Sequence, residues 1–178
     1  MNSDIKYILA ELPSSSIYVR KSYFTERCFI GCPVYNRKWS CPPRSPIYIP
    51  TTPTITIVIL YKYNNIIAKQ EFTKIKALNS ILKSYLNKLL YQYPNTSVFG
   101  SGSCRLCKKC NYPNPCHHPN KMLYSCESVG IDVSSICQSL NHPLQWYERE
   151  HKYKYGTVVG IINDTKINVE EKLIRILS

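Results

Sequence analysis

Three cysteines at regular two-residue intervals are the most chemically informative feature of the sequence. Cys104, Cys107 and Cys110 form a C-x2-C-x2-C run. At this spacing a short loop can wrap around a cubane, with each thiolate bound to a different iron, as in bacterial ferredoxins. The run therefore predicts an iron–sulfur cluster, with 4Fe-4S as the expected type.

The residues after the triple leave the fourth ligand and the metal open. Cys116 is the next cysteine, and it follows the turn-forming segment 111–115. Zinc is the alternative metal because C-x2-C pairs are common in zinc knuckles, although a zinc ribbon usually has two separated pairs. His117 and His118 come directly after Cys116. Either histidine can bind metal or donate a hydrogen bond to a cluster sulfur, and His118 is kept as a candidate ligand.

A second, looser group of cysteines lies earlier in the chain. Cys28, Cys32 and Cys41 are separated by three and eight residues, and Cys41 is followed by proline, as ferredoxin ligands often are. Together the two groups supply seven thiols. Seven thiols fit one four-cysteine cluster plus a three-cysteine site with an open position, and catalysis at a metal requires such a position. One or two clusters are therefore expected. Cys126 is a candidate eighth ligand, and Cys137 is expected in the core.

The composition indicates the cellular compartment of the protein and the kinds of partner that it could bind. The chain has nine cysteines, no apolar run long enough to span a bilayer and no N-terminal pattern typical of a secretory signal. We therefore expect a cytoplasmic protein, without membrane association, in which metal binding accounts for the cysteines better than disulfides do. The formal net charge of +12 suits an acidic protein, a nucleic acid or an anionic cofactor. The basic residues are spread along the chain, so charge alone does not name the partner.

The hydrophobic pattern predicts the elements that position these cysteines. One apolar stripe recurs at steps of three and four from about residue 65 or 72 to residue 92, which indicates an amphipathic helix ended by Pro94. A second helix is expected from Asp132, as N-cap, through Leu140, and a third over 169–177. Strands are expected at 16–20, 54–61, 96–100 and 156–163.

These elements predict one α/β domain over residues 1–178. We expect a short mixed or parallel sheet with flanking helices and two cysteine-rich metal-binding loops, at about 28–43 and 104–126. The segments 54–61, 72–92 and 96–100 form a candidate parallel unit with a right-handed crossover. Each cysteine group follows a predicted strand. If those strands are parallel, both groups lie at one edge of the sheet and converge.

The motifs together resemble a prokaryotic family of cysteine-rich predicted metal-binding proteins, domain of unknown function 2284. The resemblance covers roughly residues 16–163 and rests on the motifs Cys28…Cys32-Pro-x-Tyr35…Trp39-Ser-Cys41-Pro-Pro43, Gly102-x-Cys104-x-x-Cys107-x-x-Cys110, Pro115-Cys116-x-His118-Pro119 and Gly130-Ile-Asp-Val133. It implies that the metal candidates are Cys28, Cys32, Cys41, Cys104, Cys107, Cys110 and Cys116.

The chain departs from the family pattern at two positions. His117 stands where the family usually has a basic residue, and Cys126 stands where it tends to have methionine. The second departure weakens the case for Cys126 as a ligand throughout the family. The resemblance implies no particular reaction.

Three functions follow as hypotheses. The first is an iron–sulfur protein that transfers electrons to a protein redox partner or serves a larger redox enzyme. The second is a structural zinc module whose basic surface binds nucleic acid or protein. The third is an enzyme that uses a cluster with an open iron site.

Overall fold

A five-stranded mixed sheet forms the centre of the computed structural model, which describes residues 5–63, 68–144, 155–163 and 168–177. In chain order the strands are β1 (Ile5–Pro13), β2 (Thr54–Tyr63), β3 (Ser97–Gly100), β4 (Tyr124–Ser125) and β5 (Tyr155–Asn163). Their order across the sheet is β1-β2-β5-β3-β4. Neighbouring strands are antiparallel except β3 and β4, which pair in parallel.

Four α-helices accompany the sheet in the described part of the chain: α1 (Lys21–Gly31), α2 (Ala68–Gln92), α3 (Val133–Ser139) and α4 (Val169–Leu177). Residues of α2 and α4 share a core with one face of the sheet, and residues of α3 share a core with the other face. This arrangement confirms the predicted small α/β domain with a mixed sheet. None of the helices in the described ranges combines the length and the apolar character needed to cross a membrane.

Strand β2 is buried on both faces and anchors the two cores. Ile55, Ile57 and Ile59 pack into the core that contains α3, while Val58 and Leu60 pack into the core that contains α2. All five side chains are fully buried. Each contributes roughly 1.5–3 kcal/mol through burial, which explains why this β-branched run is the strongest strand signal in the sequence.

Helix α2 confirms the predicted amphipathic stripe. Its buried side chains recur at helical spacing: Leu78, Leu82, Tyr85, Leu86 and Leu89. The Tyr85 hydroxyl donates to the Val169 carbonyl at 3.0 Å, which joins α2 to the start of α4. The helix ends two residues before Pro94, whose ring prevents a further helical turn.

Two predictions about topology need correction. Residues 16–20 do not form a strand: a 3-10 helix occupies Ser14–Ser16, and Val19 makes a single antiparallel bridge to Ile131. Strands β2 and β3 do run in the same direction, but they are not neighbours because β5 lies between them. Strand β5 lies more than 50 residues after β3 in the sequence, so the local patterns around β2 and β3 do not predict its position between them.

Helix α1 was not predicted, because its apolar residues show no helical stripe. Phe24 is buried, whereas Phe29 and Ile30 are each 70% exposed. Tertiary contacts hold its first turn instead. The Arg20 amide donates to the Gly130 carbonyl at 2.6 Å. The Lys21 ammonium group donates to the Ser45 carbonyl and hydroxyl at 2.8 and 2.7 Å, and also to the carbonyl of Ser128.

Gly130 makes this close approach of α1 possible. Its φ is +97°, a conformation that side chains with a Cβ rarely adopt. A Cβ at this position would lie 2.9 Å from the Cα of Lys21 and 3.0 Å from its nitrogen. The backbone of Lys21 cannot yield without displacing the start of α1, so glycine here determines where the helix lies.

We expect Gly130→Ala to lower the free energy of unfolding by roughly 2–4 kcal/mol, because it combines backbone strain with a backbone clash. Gly31→Ala is the matched control, since a Cβ there meets no atom within 4 Å. That change should be neutral or stabilising by up to ~1 kcal/mol. Urea denaturation of both variants measures the difference; equal stabilities would contradict the role given to Gly130.

Candidate metal centre

The first cysteine group lies at the end of α1 and in the turns after it. Cys28 is in the last turns of the helix, and Cys32 caps it, with its amide donating to the Cys28 carbonyl at 3.0 Å. Cys41 is buried in the following turns. All three residues line one cavity of about 680 Å³.

The second group lies on a segment, 101–118, that contains no helix or strand. Cys104, Cys107, Cys110 and Cys116 line a second, narrow cavity together with His117 and His118. These four cysteines are partly buried, whereas both histidine residues are exposed. The structure thus brings the triple and Cys116 to one place, as a four-cysteine ligand set requires.

Direct contacts join the two cysteine groups. The Lys38 ammonium group donates to the Cys104 carbonyl at 2.9 Å, and the Cys104 amide donates to the Ser40 hydroxyl at 3.1 Å. Nearby, the indole N–H of Trp39 donates to the Asn114 carbonyl at 2.8 Å. The predicted convergence is therefore confirmed. Its predicted reason was wrong, because the first group follows a helix and not a strand.

Two lysine ammonium groups lie beside the thiols where the groups meet. Besides Lys38, Lys83 of α2 donates to the Ser103 carbonyl at 2.7 Å. Burial is the main cause that lowers the pKa of Lys83 to about 8; Arg105 and Lys38 lower it further, whereas the negative charge of Cys104 opposes the shift. A partly buried ammonium group next to thiols stabilises negative charge on them, and so favours a metal–thiolate centre.

Two thiols of the first group, those of Cys28 and Cys41, have raised pKa values when no metal is bound. Burial, followed by the charges of Cys32 and Cys41, raises the pKa of Cys28 to about 11. Burial also raises the pKa of Cys41, while a hydrogen bond between its sulfur and the Ser40 hydroxyl lowers it. Metal binding must displace these protons, so its affinity should rise with pH.

The positions of the thiols bear on whether one zinc ion or a cluster could bind. Within the described ranges, no three His, Cys, Asp or Glu side chains are placed so that all could bind one metal ion. Zinc needs its sulfur ligands about 2.3 Å from one ion. A cubane has no such requirement, because each thiolate binds a different iron.

The donor set suits a cluster chemically, but the space is small. The four-cysteine cavity has a volume of about 20 Å³, enough for little more than one water molecule. A metal–sulfur core would need more space than this cavity provides.

One backbone hydrogen bond already reaches a candidate ligand. The His118 amide donates to the sulfur of Cys116 at 3.4 Å. Hydrogen bonds to ligand sulfurs are one of the factors that set the reduction potential of a cluster. The backbone of His118 contacts a candidate ligand, while its exposed ring remains only a predicted ligand.

A family model described as predicted metal-binding protein, DUF2284, matches residues 10–162. The chain belongs to this family. The resemblance inferred from the cysteine motifs is thereby confirmed over a range that includes both cysteine groups. Searches of curated proteins and of solved structures found no match.

Cys126 and Cys137 lie apart from both cavities. Each is fully buried in the core on the α3 side of the sheet, among residues such as Ile131 and Ile136. Burial raises the pKa of Cys137 to about 12 and that of Cys126 well above its ordinary value. In this family member, their surroundings are those of buried free cysteines in a core.

Alkylation separates these two classes of cysteine. In metal-free folded protein, iodoacetamide should modify the six partly exposed cysteines of the two groups first, and it should leave Cys126 and Cys137 unmodified until urea unfolds the chain. The rate at Cys28 should rise about tenfold per pH unit up to a pH near 11, because only the thiolate reacts. Mass spectrometry after timed labelling measures both. Early labelling of Cys126 or Cys137 would contradict their placement in the core.

Proposed function

We propose that Cys104, Cys107, Cys110 and Cys116 bind a 4Fe-4S cluster, and that the protein transfers electrons to or from a protein partner. The observation that carries this proposal is that four thiols from one short segment line one cavity beside the ammonium groups of Lys38 and Lys83. A bound cluster would supply one-electron redox chemistry.

The exposure of the cysteine loop supports electron transfer. Between the three cysteines of the triple, Arg105, Leu106, Lys108 and Lys109 are all exposed. A redox centre held by this loop would lie close to the surface, beside the positive charges of Arg105, Lys108 and Lys109. An acidic protein surface is complementary to these charges, and electrostatic steering would speed the association of the two proteins at low salt.

The surrounding groups would also set the potential. Reduction adds negative charge, which the cations of Lys38 and Lys83 stabilise. The amide of His118 adds a hydrogen bond to the Cys116 sulfur. Both effects favour the reduced state and therefore raise the reduction potential.

The first cysteine group supports a second candidate function, an enzyme with an open metal site. Cys28, Cys32 and Cys41 supply three thiols, one fewer than a closed four-cysteine site needs. They border a cavity of about 680 Å³, within the range that accommodates small-molecule ligands. In this function a substrate would approach the metal from the cavity.

A reducing compartment such as the cytoplasm is part of the proposal. All nine cysteines are free thiols in the structure. Thiols that must bind metal remain available where the cell keeps them reduced.

Single substitutions test the four-cysteine site. We expect Cys107→Ala, purified without oxygen, to lose about four irons and four sulfides per chain relative to the wild type. Cys137→Ala is the control and should keep the full content, because Cys137 borders neither cavity. Iron and sulfide assays, with electron paramagnetic resonance of the reduced protein, measure the effect. Unchanged iron in Cys107→Ala, or zinc in place of iron in both proteins, would refute the proposal.

A further inference from the structure

One face of α1 forms a wall of the 680 Å³ cavity. Tyr23, Phe24, Arg27, Cys28 and Gly31 all line it, and they recur at the three- and four-residue steps of a helix face. The three thiols of the first group also line the cavity. The cavity is far larger than a metal–sulfur core of eight atoms, so a centre held by these thiols would leave space for a small molecule.

The charges around the cavity are unequally compensated. Arg20 forms an ion pair with Asp132 at 3.3 Å, and the Asp132 carboxylate also caps α3 by accepting from the amides of Ser134 and Ser135. Glu127 is the other carboxyl group of the lining, and it forms no ion pair with Arg27.

Arg27 is the cation that these groups leave uncompensated. Its guanidinium carbon is 5.9 Å from the centroid of the Tyr23 ring, and the Arg20 guanidinium carbon is 4.2 Å from the same ring. Within the described ranges, no carboxylate lies within 4.0 Å of the Arg27 guanidinium. The exposed guanidinium of Arg27 is therefore available to an anion at the cavity wall.

The rest of the lining suits an apolar body. Tyr23, Phe24, Val34 and Tyr35 contribute aromatic and aliphatic surface. Gly31 adds open space, because a Cβ there would meet no atom within 4 Å. A ligand that combines one anionic group with an aromatic or aliphatic body would match both parts of the cavity.

We propose that this cavity binds a small organic anion, with its carboxylate or phosphate on Arg27 and its apolar body directed toward Cys28, Cys32 and Cys41. The inference deepens the second candidate function and rests on it only where it assigns the three thiols to a metal centre. A cubane with three thiolates carries a net charge of about −1, one less negative than with four. With such a centre bound, that charge would repel the anionic group while Arg27 attracts it, which would orient the ligand.

Binding of defined probes tests this inference on protein purified without oxygen. Phenylacetate and phenyl phosphate carry the two anionic groups on the same ring, and phenylacetamide is the neutral counterpart of the first. Titration calorimetry should show saturable binding of at least one anion, at least tenfold tighter than phenylacetamide. The stronger of the two anions identifies the carboxylate or the phosphate class.

Two variants locate the site. Arg27→Gln should weaken binding of the preferred anion at least tenfold, because it removes the charged donor. Gly31→Leu should weaken it by a similar factor, because the new side chain fills the cavity. Lys88→Gln, which removes an exposed positive charge of α2 outside the lining of the cavity, should bind as the wild type does. Arg27 is exposed, so its substitution tests the site even if Gly31→Leu does not fold.

The outcomes separate this inference from the proposed cluster. Absence of saturable binding for both anions, or wild-type binding by Arg27→Gln, overturns the assignment of the cavity. Iron and sulfide are measured on the same samples. Anion binding by protein that never contains iron supports the cavity and refutes the cluster. Iron-loaded protein that binds neither anion supports the cluster and refutes the cavity.

Discussion

Lysine ammonium groups that donate to backbone carbonyls hold the cysteine-bearing segments together. Lys38 binds the carbonyl of Cys104, Lys83 binds that of Ser103, and Lys21 binds those of Ser45 and Ser128. This type of contact fixes the backbone and leaves every thiol available for metal. It also places positive charge where several thiolates would otherwise repel one another. The candidate site depends on this arrangement. Seven cysteine side chains in one region repel one another as thiolates unless they are protonated, bound to metal or neutralised by nearby cations.

The sheet provides the platform for these contacts. Strand β3 ends at Gly100 and leads directly into the segment with the cysteine triple, while α2, packed on one face, contributes Lys83. On the other side of the domain, the chain near Gly130 receives the first turn of α1, which carries Cys28. The two cysteine groups are thus held by different layers of the fold and contact one another between them. They also differ in surroundings: one borders a large cavity, and the other lies on an exposed basic loop. This difference is why we assign them different functions.

Local patterns predicted the parts of this fold that local physics determines. The stripe of α2, the β-branched run of β2 and the Asp132 cap of α3 all appear in the structure because each depends on residues near in sequence. Helix α1 and the position of β5 could not be predicted in this way. Helix α1 is held by Gly130 and by the contacts of Lys21 with residues more than 20 positions away along the chain. Strand β5 enters the sheet between β2 and β3, which are joined by α2. The spacing of the cysteines indicated which residues belong to the site. It gave no sign of the cavity beside Cys28 or of the lysine contacts between the groups.

The central claim is that the second cysteine group binds an iron–sulfur cluster, and the most direct measurement is the metal content and visible spectrum of wild-type protein purified without oxygen. We expect about four irons and four sulfides per chain, or about eight of each if the first group also holds a cluster, with a brown absorbance that bleaches on reduction. A colourless protein that contains one or two zinc ions per chain would contradict the claim and would identify a zinc-binding domain.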